Sequence, residues 1–231
     1  TMEKKYELTD ETIEVGGKTL HRIRALRDFG RVKKGDVGGF IEHEGNLSHD
    51  GNCWVGDSAK VFGNAKVYAN ALIQDCALVY DNATIFDDAQ ILSGAHIFNH
   101  AKVYGNARVH VLAKIYGNAK VYDKASVSGS ARIYHDAKIG GNAIISKNAE
   151  IFDDACVFES ACIADDARVF GKAKVYGDAA VHQGAHVSEK AKIGGQAEIS
   201  GNARVFGGAI VCENAKVTGN TKVSGNDTVL R

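Results

Sequence analysis

"ARVHVLAKIYGNAKVYDKA", residues 107–125, holds both the rule that decides the fold and a break in that rule. Ala stands at 107, 113, 119 and 125, and an aliphatic residue follows two positions later at Val109, Ile115 and Val121. Between them lie pairs such as Gly117-Asn118 and Asp123-Lys124, but in one unit the pair is Val111-Leu112. The rule extends far in both directions. Every sixth residue from Val55 to Val223 is Val or Ile, and every sixth from Ala59 to Ala215 is Ala. The unit is (V/I)-x-x-x-A-x, with places numbered one to six from the Val or Ile.

Such a period is read before anything else. Ala in place five and Val or Ile in place one of the next unit are two residues apart, so they point to the same side of a short strand, while places six and two point to the other. Places three and four form a corner, where Gly, Asn and Asp tolerate turn conformations. Three units close a triangular coil. The sequence therefore predicts an all-β parallel β-helix with triangular 18-residue coils, about ten of them, over residues 55–231. Roughly ten coils at ~4.8 Å each make a rod of about 45–50 Å. A meander of hairpins would give no reason for an Ala in every unit. The absence of proline suits a chain made almost wholly of internal strand.

Residues 1–54 read as an end cap. "TIEVGGKTLHRI", residues 12–23, is a hairpin pattern with a Gly16-Gly17 turn. A cap is needed because the terminal coil would otherwise expose a sheet edge. At the other end Thr221 and Asp227 take the Ala place, and an inward charge discourages strand pairing there.

Composition narrows the function classes. With 28 basic and 28 acidic residues the net charge is zero, so no bulk field draws the chain to nucleic acid or an anionic membrane. No apolar run is long enough to span a bilayer and the start has no signal-peptide pattern, so a cytoplasmic protein without a membrane partner is expected. The five cysteines form no CxxC pair, which fits a reducing compartment better than a disulfide framework.

The hexads resemble the left-handed β-helix of the hexapeptide-repeat superfamily, which includes many acyltransferases and the γ-class carbonic anhydrases. Left-handedness is what this resemblance implies. The entry segment, with Gly38-Gly39-Phe40, Leu47-Ser48, Gly51 and Trp54 in that order, resembles the YdcK-like bacterial and phage β-solenoid proteins. That family carries a transferase label inherited from its fold, and a fold does not fix a chemistry. Superfamily acyltransferases interrupt their hexads with a protruding loop; here the hexads run unbroken. A γ-class zinc site needs three converging His. His96 and His186 share a column but lie five coils apart, and His110 and His182 share one four coils apart, so no metal site and no cofactor are expected within one chain. Were the chain an acyl-CoA-dependent transferase with an intersubunit site, His110 or His182 would be the general base.

Outward residues sort by face. Apart from Tyr6, Phe29 and Phe40, every Tyr and Phe falls in one of two columns, one on the second face and one on the third. Basic residues flank them. Lys114, Tyr116, Arg132, Tyr134, Arg168 and Phe170 on the second face, with Lys120 and Tyr122 on the third, are the candidates for binding a nucleotide or another anionic ligand. Equally, rings stacked at strand spacing stabilise the sheet themselves. The first face is poor in charge. Leu72, Leu92, Arg108, His110, Val111, Leu112 and Ile144 are its candidate contact residues, and an exposed apolar patch of this kind marks protein contact. The function expected is a non-catalytic scaffold or binding protein that self-associates as a dimer or trimer with Leu112 near the centre; another protein as partner is the other use of such a face. The competing reading folds the N-terminal segment back over this face.

Overall fold

A computed structural model describes residues 3–231. The chain is an all-β solenoid of three parallel sheets. Two sheets have 10 strands and the third has 13. Strands 18 residues apart are paired in register, as Gln90 with Arg108 and Ile91 with Val109. Each strand core is short: the outward place-six residue and the buried place-one residue, as in Lys114–Ile115. Ala of place five and Val or Ile of place one are buried along the rod. Ala is small enough to let three corners converge while the larger residues fill the middle, which is why Ala holds place five from Ala59 to Ala215.

The N-terminal segment supplies three longer strands, β1 (Tyr6–Val15), β2 (Lys18–Ala25) and β3 (Val37–Ile41). The turn between β1 and β2 is Gly16-Gly17, both with positive φ, as expected. β3 then pairs in parallel with Lys60–Val61. It therefore adds a coil before the regular hexads, giving eleven parallel strands in that sheet after the two of the hairpin. This explains Gly38-Gly39: a Cβ on Gly38 would collide with the carbonyl of Val55, and one on Gly39 with that of Ala59. The hairpin extends the second-face sheet. It does not fold back along the first face, which the cap meets only at the end near Trp54: Phe29 lies edge-on to the indole at 5.4 Å, and Gly38 of β3 lies against the same ring. No helix among the described residues is long and apolar enough to cross a membrane.

The cap is tied to the first coils by polar groups that no sequence pattern reveals. Tyr6 Oη donates to the carbonyl of Leu47 at 2.6 Å, and its ring stacks on His49. Lys5 is fully buried, and its Nζ donates to the carbonyls of Cys53 (2.8 Å), Gly51 (3.2 Å) and Asp50 (3.3 Å). Burial holds its pKa below the usual lysine range, and the Cys53 sulfur beside it works the other way. Replacing Lys5 by Met strands these carbonyls without a donor, each a penalty of roughly 1–3 kcal/mol when fully desolvated. The Lys5→Met protein should unfold at a lower temperature, and the cap amides should exchange faster with deuterium. An unchanged melting point would mean that Lys5 does not hold the cap.

Candidate functional site

The corners set the surface. Place three is held at positive φ throughout, from Asp57 to Gly225. Where it carries Asp, Asn, Glu or Gln, from Asp57 to Glu189, the side chain accepts a hydrogen bond from the place-three N–H of the next coil: Asp75 from Ser93 (2.8 Å), Asp87 from Gly105 (3.0 Å), Asp165 from Gln183 (2.9 Å). The corner acids are thus structural groups that satisfy an amide the sheets leave over.

Val111 breaks this scheme. At φ 62° it is the only β-branched residue with positive φ among the described residues. It has no acceptor to offer Gly129, and the left-handed conformation costs an L-residue about 1–2 kcal/mol. It is 43% exposed and Leu112 is 58% exposed. Leu112 leans back over Gly94, where a Cβ would lie 2.9 Å from its Cδ2. Below it an open trough of about 510 Å³ is lined by His96, Lys114, Arg132 and Glu150 among others.

On the flat of the first face, the outward residues from Ser126 through Ser128, Ile144, Ser146, Cys162 and Ala164 to Ala180 carry no charge. Ile144 is 49% exposed at its middle. Leu72 and Leu92 are half-buried, and Leu72 packs against the core near the cap. Arg108 is exposed and forms no ion pair among the described residues. His110 is half-buried, with Nε2 3.5 Å from Ser126 Oγ. His182, four coils away, is held by Glu198 at 2.8 Å. The chain does not bring His110 and His182 together, and no cluster of three metal-ligating side chains is present among the described residues.

The aromatic columns are stacks with breaks: the second-face column runs from Phe62 to Phe170 and is interrupted at Ser188 before Phe206, and the third-face column is interrupted at Gly140. Tyr116 lies 4.9 Å from Tyr134 at an interplanar angle of 5°, and Phe152 lies 4.9 Å from Phe170 at 1°. Within each run the ring faces are occupied by one another, while at Ser188 a gap of about 190 Å³ opens between Phe170 and Phe206. On the third face Tyr122 stacks on Tyr104 and lies over Gly140, where a Cβ would come within 2.6 Å of the ring. Arg168 is paired with Glu150 at 3.1 Å, and the same carboxylate accepts from Tyr134 Oη at 3.2 Å. Burial, aided by this carboxylate, pushes the Tyr134 phenol up to about 12. Lys114 and Arg132 are exposed and Lys120 is half-buried in the columns beside the stacks.

Residues 197–213 match the family described as "YdcK Beta solenoid repeat". The chain thus carries a YdcK β-solenoid repeat within the regular coils, on a stretch far from the entry segment. No curated protein matches the chain.

Two outcomes follow. Val111→Asp removes a β-branched residue from the left-handed region and gives Gly129 an acceptor, so it should raise stability by about 1–2 kcal/mol in urea melts. A loss of stability would mean that Val111 is packed favourably instead. The second concerns pH. His96, His110 and His186 are all held below the ordinary histidine range, chiefly by burial, with Lys114, Arg108 and Arg204 beside them respectively. The unfolded chain thus binds protons at a higher pH than the folded one. Stability should be full at about pH 7.5 and fall as pH drops through about 6.5 toward the lowered folded values. Gln in place of His96 and His186 should flatten that slope in thermal melts.

Proposed function

We propose that this solenoid is a non-catalytic scaffold that self-associates through its first face. The observation that carries the reading is the uncharged run from Ser126 to Ala180 with Ile144 half exposed at its middle, flanked by the apolar corner Val111-Leu112. Monomeric proteins rarely leave such a surface open. Two further facts support it. The hairpin lies on the second-face sheet, so among the described residues the cap meets this face only at its Trp54 and Leu72 end, where the 29–32 loop lies. A valine held at positive φ stands at an exposed corner, and strain of this sort collects at functional positions. The aromatic columns support a ligand less well, because inside their unbroken runs the ring faces are stacked on each other and the gap at Ser188 is small.

Light scattering coupled to size exclusion tests the reading. The chain should run as a concentration-dependent dimer. Ile144→Asp places a charge in the middle of the face, pointing outward, and should give a monomer with an unchanged β-sheet spectrum. A native chain that stays monomeric at high concentration would sink the proposal.

A further inference from the structure

Self-association through a flat sheet face leaves the relative placement of the two copies open, and the order of side chains on this face fixes it. Resting on the reading above, we infer that two copies pack first face to first face, antiparallel, about a two-fold axis that runs along the strands between Ile144 and Cys162. Such an axis keeps each column opposite itself and reverses the coil order. In the place-six column, Ile144 then meets the partner's Cys162, Ser126 meets Ala180, and Arg108 meets Glu198. In the place-two column, Ser146 meets Ala164 and His110 meets Ser200.

Charge selects this register. Arg108 is exposed and without an ion pair among the described residues, and Glu198 is the acid of that column nearest the uncharged run on its other side. Glu198 already holds His182 at 2.8 Å, with Lys216 at 3.9 Å, so the arriving guanidinium meets a fixed carboxylate. The corner that opens the face repeats the match, because Lys124 is brought opposite Asp178. Val111-Leu112 is brought opposite Gly201-Asn202, where Gly201 leaves room for an apolar side chain. The competing placements are penalised. A parallel pair, whose two-fold axis runs along the rod, exchanges the two columns: it sets Arg108 against the partner's His110 and holds both Arg108 side chains in one layer with no acid opposite either. An antiparallel pair centred on Ile144 sets Lys147 against Lys147 and leaves Arg108 over Ala180. An antiparallel pair centred on Cys162 sets Arg108 against Lys216. Placing Leu112 at the centre likewise brings the two Arg108 side chains together, so Leu112 belongs near the rim. The central residues are Ile, Cys, Ser and Ala, small enough for two sheets to approach closely. Counting Arg108 to Glu198, the contact spans six strands, about 24 Å at ~4.8 Å per step, a small interface that predicts reversible association.

Two experiments on the full chain test the register. A short bismaleimide should link exposed Cys162 to Cys162 of a second copy, because the two thiols lie one strand apart across the axis, with the linked peptides identified by mass. Arg108→Glu alone should weaken the dimer by about tenfold or more, since it sets like charges opposite each other twice. Adding Glu198→Arg should return the dissociation constant to within a few-fold of the starting value. A dimer that Ile144→Asp dissociates, but that shows no Cys162 link and no rescue by the double exchange, overturns the register and leaves the face reading standing. A trimer also overturns the register, since a two-fold axis cannot build one. A native chain that is monomeric throughout overturns both.

Discussion

Everything in this molecule depends on one constraint: each coil must hand its backbone hydrogen bonds to the next at a fixed step of 18 residues. Lys60 donates to the carbonyl of Ala77, Phe62 to that of Val79, and Asn64 to that of Asp81, and the same three places repeat along the rod. The place-five amide closes its own turn, as Ala65 does onto Phe62. One insertion between hexads would put an outward residue inside. The regularity of Ala and of Val or Ile is thus the chemical image of a backbone ladder that tolerates no slip.

That ladder leaves the place-three amide over, and side chains complete it. An Asp in the left-handed region serves twice, tolerating the conformation and accepting from the coil above. Both demands are satisfied at Asp75, Asp87 and Asp165. Neither is satisfied at Val111. The aromatic columns answer a different demand: large rings cover the outer side of strands whose inner side is only Ala and Val or Ile, and glycine takes the ring position at Gly140 and Gly194, where the preceding tyrosine lies across it.

The solenoid, its coil length and the hairpin were legible because they follow from period and turn chemistry, which single residues report. The first face was legible as an unusual surface, since Val111-Leu112 violates a rule the rest of the chain obeys. What could not be read there lies in contacts between distant residues. Nothing about Lys5 announces that it is buried against three carbonyls near Cys53. Nothing about Gly39 says that the Ala59 carbonyl will lie against it. The stacking of Tyr116 on Tyr134 was readable as a neighbourhood, but whether the ring faces stay free needed the angles between them. His110 and His182 share a column in both views, and their separation follows from the coil count alone.

The 18-residue repeat makes the surface a graduated scale. Any two positions in a column are separated by a whole number of strand spacings, so a partner built to the same spacing meets this face only at discrete settings, as teeth meet in a rack. An error in alignment is therefore never slight. It displaces every pair by a full step of about 4.8 Å, and each charge is then judged against a different neighbour. Selectivity on such a surface resides in the sequence order of a few side chains along the rod, while the shape of the face stays the same from coil to coil.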